Sequence, residues 1–201
     1  FIHKQFPMLS DNVSHNMSPM ATVARFIKSA DKDAKTVFIG PCTAKKGEAQ
    51  LPGVREYVDS VMTFEELQAM LDSRDIDLTT LEETDLDNAS GFGRSFARCG
   101  GLAEAAAEAL KELGIDFEVK PVSCSGIEEC KLALLKASKG RADGNFIEGM
   151  ACVGGCINGA GCMTHGDRNK LKVDAHSRQA TDKTIGESLK TASSDFDAPT
   201  E

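Results

Sequence analysis

Hydrophobic and polar positions follow two different periods along the chain, and the switches between them predict strands that alternate with helices. Short apolar and β-branched runs predict strands at 35–42, 55–62 and 116–126, and a shorter one at 144–152 leads into a cysteine cluster. The first residues have the pattern of an amphipathic helix. The same helical period predicts further helices over 19–30, 64–74, 102–113, 127–139 and 178–192.

Residues at the predicted helix ends support these boundaries. Ser18 followed by Pro19 fits an N-cap with proline in the first helical position. Thr63 and Glu66 have the spacing of a capping box. The acidic, poorly periodic segment 75–87 is predicted to be a solvated helix end and loop.

This alternation is typical of an α/β fold with a mostly parallel sheet and flanking helices. The length of 201 residues suits one domain, 1–201, whose tail, 192–201, is predicted to be disordered. Ligands of parallel sheets collect at the carboxyl ends of the strands. The two cysteine motifs described below both follow such ends, so that edge of the sheet is the expected functional site.

Charge and composition argue against nucleic acid and membrane as partners. The formal net charge is −8, and the negative excess lies beyond residue 46, because the first 46 residues are net positive. This acidic body lacks tryptophan and shows no basic patch with interleaved aromatics. No apolar run approaches the length of a membrane span and no signal peptide opens the chain, so we expect a cytoplasmic protein.

The seven cysteines favour metal binding or redox chemistry over a disulfide framework. Their number is odd and their spacing uneven, whereas secreted frameworks have paired cysteines in smaller chains. For Cys99, Cys124 and Cys130 we favour a simpler role as buried small hydrophobes. The four histidines share no spacing that indicates a metal site, and a surface role is expected for His165, which lies near the cysteine cluster in sequence.

The stretch EGMACVGGCINGAGC, residues 148–162, crowds three cysteines and five glycines together. If it is helical, Cys152 and Cys156 lie one turn apart and both thiolates could reach one metal centre. Gly154 and Gly155 leave room for something bulky near the backbone. The two-residue cysteine spacing of an ordinary zinc site, with a second pair, is missing. The alternative is a glycine-rich turn with incidental buried thiols.

The stretch PCTAKKGE, residues 41–48, places a lone cysteine at a predicted strand end. A cation near Cys42 would lower the pKa of its thiol and could donate to an anionic ligand. Lys45 and Glu48 could pair on one helical face. Taken alone, the stretch also fits a solvated helix start. Its occurrence together with the 148–162 stretch is what makes it informative.

Together the two stretches resemble the active-site segments of the iron-only (di-iron) hydrogenases. That family carries a PCxxKxxE segment and an ExMACxxGCxxGxG segment, which match residues 41–48 and 148–161 here. The glycine-rich helix entry at 91–113 and the stretch FPMLSDNVSHNMSP at 6–19 also look similar. The resemblance covers most of the chain and fades after about residue 169.

The resemblance implies a 4Fe–4S cubane bridged by a cysteine to a di-iron unit, the H-cluster. It implies that Cys42, Cys152 and Cys156 ligate the cubane and that Cys156 is the bridging thiolate. The dithiolate, CO and cyanide ligands of the di-iron unit belong to the family's cofactor.

The resemblance also implies roles for four residues around that cofactor. Lys45 would donate a hydrogen bond to an iron-bound cyanide, and Glu48 would steady Lys45. Met150 would pack against the di-iron unit, and Ser14 falls where the family has a serine in its proton path.

Three departures from the family pattern change the expectation. The TSCCP segment, which supplies the fourth cubane cysteine and a proton-transferring cysteine, would end just before Phe1, so the chain is interpreted as a truncated C-terminal piece. Gly40 stands where many members have methionine, and Cys162 stands where many have glutamine. Cys162 is therefore a possible substitute ligand, with helix packing as the alternative. The isolated piece is expected to be inactive and to hold an incomplete cofactor or none.

Three hypotheses about function follow. The first is an oxidoreductase whose parent protein reversibly reduces protons to hydrogen with electrons from a ferredoxin-type carrier, next to upstream iron–sulfur domains. The second is a redox- or hydrogen-sensing iron–sulfur module without significant turnover, which Gly40 and Cys162 favour slightly. The third is a metal-free structural lobe. An incomplete lobe surface could also drive homodimer formation.

Overall fold

The computed structural model describes residues 1–84 and 89–197, with side chains up to 192. Four short strands are β1 (Val37–Gly40), β2 (Ser60–Thr63), β3 (Pro121–Ser125) and β4 (Phe146–Met150). The α-helices are α1 (Ile2–Gln5), α2 (Pro19–Ala30), α3 (Ala44–Glu48), α4 (Phe64–Asp72), α5 (Gly91–Ser95), α6 (Gly101–Glu112), α7 (Ile127–Ser138), α8 (Arg168–Arg178) and α9 (Ile185–Asp197). Short 3-10 helices occupy Pro7–Asn12, Leu78–Thr80 and Cys156–Asn158.

The α/β class and the parallel pairing are confirmed, and the described strands form two small sheets. β1 pairs in parallel with β2, in the register Val37 to Ser60. β3 pairs in parallel with β4, in the register Pro121 to Phe146. In each pair, the connection from the first strand to the second contains a helix, as is usual for parallel strands. The site therefore lies where the ends of two sheets meet, not along one continuous edge.

The first sheet packs on α2 and on the turns that precede β2. Its buried residues are small or flexible, Met20, Ala24, Ala49 and Val58, with Phe38 and Tyr57 packed against them. Ser18 caps α2 by accepting the Ala21 N–H, as the sequence predicts. Thr63 and Glu66 form the predicted capping box of α4.

The second sheet packs on α7 around two cysteines. Cys124 on β3 and Cys130 on α7 are buried together with Ala133, and Val122 and Ile147 pack against them. The expectation that Cys124 and Cys130 are buried small hydrophobes is confirmed, whereas Cys99 is only half-buried. Burial raises the pKa of both buried thiols, which keeps them neutral.

Three elements differ from the sequence prediction. The expected strand at 55–62 is wrong over its first half, because residues 51–57 form consecutive turns and only Ser60–Thr63 is a strand. The polar helix α8 was missed. Helix α9 continues to Asp197, past the expected start of the tail at 192.

Parts of two expectations lie outside the described residues. The predicted loop at 75–87 contains the 3-10 turn Leu78–Thr80, and its last positions, 85–87, are not described. The end of the tail that is predicted to be disordered, 198–201, also lies outside the described residues. In the described part of the chain, no helix is both long and apolar enough to cross a bilayer.

Candidate metal centre

The first cysteine motif lies where β1 ends. The strand stops at Gly40, Cys42 follows two residues later, and α3 begins at Ala44. The Cys42 side chain is half-buried, so its thiol is neither sealed in the core nor free in solvent. The prediction that this motif lies at the carboxyl end of a parallel strand is confirmed.

The second motif lies at the end of β4 and is a turn, not a helix. β4 ends at Met150, Cys152 follows two residues later, and Cys156 opens a single 3-10 turn. Gly154 and Gly155 have φ values of +83° and +103°, which interrupt any helix between the two cysteines. The helical spacing considered for Cys152 and Cys156 is therefore wrong, although both remain half-buried in one short loop.

Gly155 is required by close contact with a neighbouring loop. A Cβ at this position would lie 2.6 Å from both the Ala97 carbonyl oxygen and the Cys99 nitrogen. Arg98 and Gly155 form an isolated antiparallel bridge, and the Cys99 N–H donates to the Gly154 carbonyl at 3.1 Å. The space at Gly155 is thus filled by the chain itself, and a cofactor-facing role for the two glycines stays a prediction.

The two cysteine loops are joined directly through their backbones. The Gly161 N–H donates to the Pro41 carbonyl at 2.9 Å. A Cβ at Gly159 would lie 2.3 Å from the same carbonyl oxygen, and one at Gly161 would lie 2.7 Å from Thr63. Because these positions are glycines, the 148–162 loop can pack against Pro41, the residue next to Cys42. This contact brings the two motifs together.

The thiols of the two motifs are close enough to interact electrostatically. Burial raises the pKa of the Cys156 thiol, and the neighbouring thiols of Cys42 and Cys152 raise it further. The Lys45 ammonium acts in the opposite direction on the same thiol. The thiols of Cys42 and Cys152 and the Lys45 ammonium therefore all influence the Cys156 thiol.

The thiols of this group are not arranged as the ligands of one metal ion. Among residues 1–84 and 89–197, no three His, Cys, Asp or Glu side chains converge tightly enough to hold one metal ion. An iron–sulfur cluster binds each cysteine through a different iron, so its thiolates stand further apart than those of one tetrahedral ion. Three half-buried thiols with a nearby cation fit such a group.

Lys45 is held by a short chain of polar contacts. Its Nζ atom lies 2.5 Å from Glu48 Oε2, within α3. The other carboxylate oxygen, Oε1, accepts a hydrogen bond from Ser18 Oγ at the start of α2. The contact between Lys45 and Glu48 matches the pairing expected from their spacing.

Ser18 belongs to this series of polar contacts, and its part in the series was not predicted from the sequence. Its N-cap role was visible in the sequence, but its contact with Glu48 joins residues 30 positions apart. Ser14, the expected proton-path residue, lies in an exposed loop, where its hydroxyl accepts the Asn16 N–H at 3.3 Å. Its role in proton transfer stays a prediction.

Met150 occupies the last position of β4, two residues before Cys152. Its side chain is half-buried, and its carbonyl accepts the Gly126 N–H at 2.8 Å and the Cys130 thiol at 3.7 Å. These contacts fix the end of the strand against the start of α7. The expected contact of Met150 with a di-iron unit stays a prediction.

Glu148 has an anchoring role that its place in the motif did not reveal. Its side chain is fully buried, with the residue 2% exposed. Its carboxylate accepts the backbone N–H groups of Gly100 at 2.9 Å and Ala103 at 3.0 Å, at the amino end of α6. A carboxylate at a helix amino terminus satisfies N–H groups that otherwise lack partners. Glu148 therefore ties the strand before the cysteine loop to α6.

Cys162 is buried and makes a contact of its own. Its thiol donates to the Ile157 carbonyl at 3.1 Å, and burial raises its pKa. This contact closes the end of the glycine-rich loop, which agrees with the packing alternative. A role as substitute ligand stays a prediction.

Thiols gathered from two strand-end loops beside a lysine are typical of proteins with thiolate-bound metal centres. More narrowly, the chain belongs to the iron-only hydrogenase large-subunit family: the family model "Iron only hydrogenase large subunit, C-terminal domain" matches residues 1–160. The oxidoreductase family expected from the motifs is thereby confirmed.

Curated relatives agree at modest identity. Iron hydrogenase 1 of Clostridium pasteurianum is 30% identical, over 84% of this chain and 37% of its own length. The periplasmic [Fe] hydrogenase large subunit of Nitratidesulfovibrio vulgaris is 28% identical, over 69% of this chain and 41% of its own length. The cytosolic Fe-S cluster assembly factor narfl of Xenopus tropicalis is 27% identical, over 74% and 41%. The chain thus spans about two fifths of the length of these relatives.

Solved structures of similar fold are also hydrogenases. A variant of [FeFe]-hydrogenase HydA1 from Chlamydomonas reinhardtii superposes with a TM-score of 0.70 at 21% identity, over 98% of this chain and 68% of that one. The structure that describes stepwise H-cluster assembly in the [FeFe]-hydrogenase HydA gives a TM-score of 0.68 at 20% identity, with 98% and 68% covered. At these identities the likeness shows the shared fold.

Proposed function

We propose that this chain forms part of the H-cluster domain of an iron-only hydrogenase. The parent protein reversibly reduces protons to hydrogen. The observation that carries this proposal is the contact between the two cysteine loops, which lie more than 100 residues apart in sequence: the Gly161 N–H donates to the Pro41 carbonyl at 2.9 Å and so brings the loop of Cys152 and Cys156 next to Cys42. Membership of the hydrogenase family supports it independently.

The residues present suit three positions around a 4Fe–4S cubane. Cys42, Cys152 and Cys156 would supply thiolates to it, and Cys156 would bridge to a di-iron unit, as the resemblance to the family implies. When bound, this cofactor supplies the electron storage and the redox chemistry of the reaction. The chain's own contribution is to hold the thiolates in place and to keep the surroundings dry.

The polar chain that ends at Lys45 would set the local electrostatics. Lys45 would donate a hydrogen bond to an anionic ligand of the cofactor, in an orientation fixed by Glu48 and Ser18. Met150 would cover one side of the cofactor from the end of β4. Ser14 would take part in proton delivery.

The fourth cubane thiolate is proposed to come from another segment of the parent protein. The family's TSCCP motif does not occur among the 201 residues. We therefore expect the isolated chain to show no hydrogen turnover. We expect electrons to arrive from a ferredoxin-type carrier, through iron–sulfur domains of the longer parent.

A cytoplasmic location belongs to the same proposal. It rests on the absence of a disulfide pattern among the seven cysteines, all of which are free. The name of the Nitratidesulfovibrio relative places that protein in the periplasm, so the family is not confined to one compartment.

The second candidate function is a redox or hydrogen sensor, or a cluster-binding module without turnover. Gly40 favours it, because many members of the family have a methionine there that touches the di-iron unit; a Cβ at Gly40 would lie 2.7 Å from the Phe38 ring, which would have to turn aside. In addition, one similar protein is named as an Fe-S cluster assembly factor and not as a hydrogenase.

Hydrogen evolution by the full-length, cofactor-matured protein would separate the two candidates. For an enzyme, Lys45→Ala should lower the rate by about a hundredfold, since it removes a preorganised cation at the reacting group. Lys46→Ala is the matched control, because Lys46 pairs with Glu66 instead of Glu48, and it should change the rate less than about twofold. A fully loaded protein without turnover would favour the sensor.

A further inference from the structure

Two cysteines outside the candidate metal centre lie together in the core of the second sheet. Cys124 is the fourth residue of β3 and is 3% exposed, and Cys130 is the fourth residue of α7 and is 7% exposed. Both belong to one buried cluster with Ala133, which lies three residues further along α7. We call Cys124 and Cys130 the buried thiol pair. The proposed function gives neither thiol a role.

Gly149 provides the space in which the two sulfurs meet. It is the register partner of Cys124 in the parallel ladder of β3 and β4. A Cβ at Gly149 would lie 3.2 Å from Cys130 Sγ. Because neighbouring strands are only about 4.8 Å apart, the Cys130 sulfur lies over the strand position directly beside Cys124. Any side chain at Gly149 would compete for this space.

The two thiols act on each other and make only long contacts with nearby carbonyls. Burial raises the pKa of both thiols, and a hydrogen bond between the two side chains adds to the increase at Cys124 and opposes it at Cys130. Cys124 Sγ lies 3.7 Å from the Val122 carbonyl oxygen, and Cys130 Sγ lies 3.7 Å from that of Met150. Thiols are weak donors, so little stability is lost if these contacts are given up.

The backbone between the two cysteines is already fixed by the fold. Five residues separate them in sequence, and these contain the turn from β3 into α7. Gly126 in this turn has φ +92°, and its N–H donates to the Met150 carbonyl at 2.8 Å. Its own carbonyl accepts the Cys130 N–H at 3.2 Å. A bond between the two sulfurs therefore requires little further ordering of the chain.

We propose that Cys124 and Cys130 form a reversible disulfide, which makes the buried thiol pair a redox-modification site. The oxidant is a small-molecule disulfide such as oxidised glutathione. One cysteine thiolate attacks a sulfur of that disulfide and releases one thiolate, and the other cysteine thiolate then attacks the mixed disulfide and releases the second. Two protein thiols are oxidised, the small disulfide is reduced to two thiols, and the two cysteine protons pass through solvent to the released thiolates.

The turn between the two cysteines also supports the second cysteine loop. Ser125 Oγ accepts the Gly154 N–H at 2.8 Å, and the Met150 carbonyl accepts the Gly126 N–H. A disulfide across this turn restricts the movement of Ser125 and Gly126, so both hydrogen bonds open less often. Oxidation of the buried thiol pair thus holds the second cysteine loop more firmly in place.

The test equilibrates the 201-residue chain anaerobically in glutathione redox buffers, starting both from the reduced and from the oxidised chain. N-ethylmaleimide in urea then blocks the free thiols, and tryptic peptides are analysed by mass spectrometry. Trypsin leaves both cysteines in one peptide, 112–131, because Lys120 is followed by proline, whereas Cys99 lies in 99–111. An internal disulfide appears as peptide 112–131 without label and with two hydrogens fewer than the dithiol.

The equilibrium constant for this disulfide, measured against glutathione, should be at least about tenfold higher in the native chain than in the chain unfolded by urea, because the fold holds the sulfurs together. A ratio of one or less would overturn the proposal. So would a peptide 112–131 that stays fully labelled after native equilibration, or one that is joined to 99–111 through Cys99.

Cys99→Ala is the matched control, because it removes a half-buried thiol outside the buried thiol pair. It should change the native equilibrium constant less than about twofold. A larger loss in Cys99→Ala would show that Cys99 takes part in the bond and would contradict the assignment to Cys124 and Cys130. Circular dichroism checks that the variant is folded.

Amide hydrogen exchange tests the effect on the second cysteine loop. In a Cys152→Ser/Cys156→Ser chain, which prevents disulfides in that loop, exchange of the Gly126 and Gly154 amides is followed by NMR before and after oxidation. Both should slow at least about threefold in the oxidised chain. Unchanged exchange would contradict the link to the loop. None of these readouts involves iron, so they are independent of the proposed cluster site.

Discussion

Glu148 shows, at the scale of single residues, how a buried charge can hold the candidate site together. Its carboxylate is buried in the core, and burial of a carboxylate is costly unless hydrogen bonds replace the lost hydration. The N–H groups of Gly100 and Ala103 provide them, with the hydroxyl of Ser123 at 3.5 Å. One side chain thus links β4, α6 and the approach to the cysteine loop.

Glu148→Gln should lower the free energy of unfolding by about 2–3 kcal/mol. The amide keeps one acceptor oxygen, but its NH2 group would face a backbone N–H, which leaves a buried donor without a partner. Chemical denaturation followed by circular dichroism measures the change. Glu128→Gln, at an exposed position on α7, is the control and should change stability by less than about 0.5 kcal/mol. Equal effects of the two variants would contradict the anchoring role.

Gly155→Ala should destabilise the chain by about 3 kcal/mol or more. The residue has φ +103°, and its new Cβ would overlap the backbone at Ala97 and Cys99. Thermal unfolding gives the readout. Gly53→Ala is the matched control, because no atom lies within 4 Å of a Cβ at that position, and the variant should leave the melting temperature nearly unchanged. A stable Gly155→Ala variant would show that this loop can sit elsewhere.

At this scale the local parts of the site were predictable and the long-range parts were not. The spacing of Lys45 and Glu48 within α3 predicted their contact. Ser18 and Glu148 bind groups 30 and 48 positions away in sequence, and no local pattern encodes such contacts. The turn at Gly154 and Gly155 agrees with the alternative of a glycine-rich turn, since two adjacent glycines disfavour a helix.

Asp59 has the same linking role at the scale of elements. Its carboxylate lies 2.8 Å from Lys28 Nζ on α2 and accepts the Thr36 N–H at 2.9 Å, just before β1. The hydrogen bond from Lys28 and the one from the Thr36 backbone lower its pKa from 3.8 to about 2. The residue therefore connects α2, β1 and the start of β2 in its ionised form.

This lowered pKa predicts how stability depends on pH. Because the folded state binds the Asp59 proton less readily than the unfolded state, the contribution is fully present above about pH 4 and is lost as the pH falls towards 2. Asp59→Asn should remove this part of the acid dependence in urea titrations between pH 5 and 2, and Lys28→Met should reduce it. If Asp59→Asn loses as much stability between pH 5 and 2 as the wild type, the proposed role of Asp59 in the acid dependence is contradicted.

Elements with local signals were predictable, and those fixed by packing were not. The capping box at Thr63 and the N-cap at Ser18 marked the starts of α4 and α2 correctly. The first residues of the predicted strand 55–62 lie in turns instead, and Tyr57 packs against the core from there. Helix α8 has little apolar periodicity, because it is held by Asn169 and Asp174 instead of a hydrophobic face.

At the scale of the whole molecule, the first sheet leaves part of β1 exposed. Val37 is 50% exposed and Ile39 is 42% exposed, on one face of a parallel strand. Parallel sheets are normally covered on both faces. Sequence could predict the parallel topology, but the assignment of strands to two sheets depends on contacts between distant segments.

We expect this exposed face to promote self-association of the isolated chain. Sedimentation velocity should show a weight-average mass that rises with concentration, and Val37→Thr/Ile39→Thr should lower that rise while keeping β-branched residues in the strand. Leu113→Thr, at a 71% exposed leucine after α6, is the control and should leave the mass unchanged. A strictly monomeric wild-type chain across concentrations would count against this expectation.

The most direct test of the account is anaerobic reconstitution of the chain with iron and sulfide, read by iron content and EPR spectroscopy. We predict that the cubane signal obtained with the chain alone, or with the family's TSCCP segment added to it, is lost in Cys152→Ser/Cys156→Ser and is kept in the control Cys124→Ala/Cys130→Ala, which alters the buried pair of the second sheet. A signal that survives in the first variant, or that depends on the second pair of cysteines, would contradict the cluster site at the two loops.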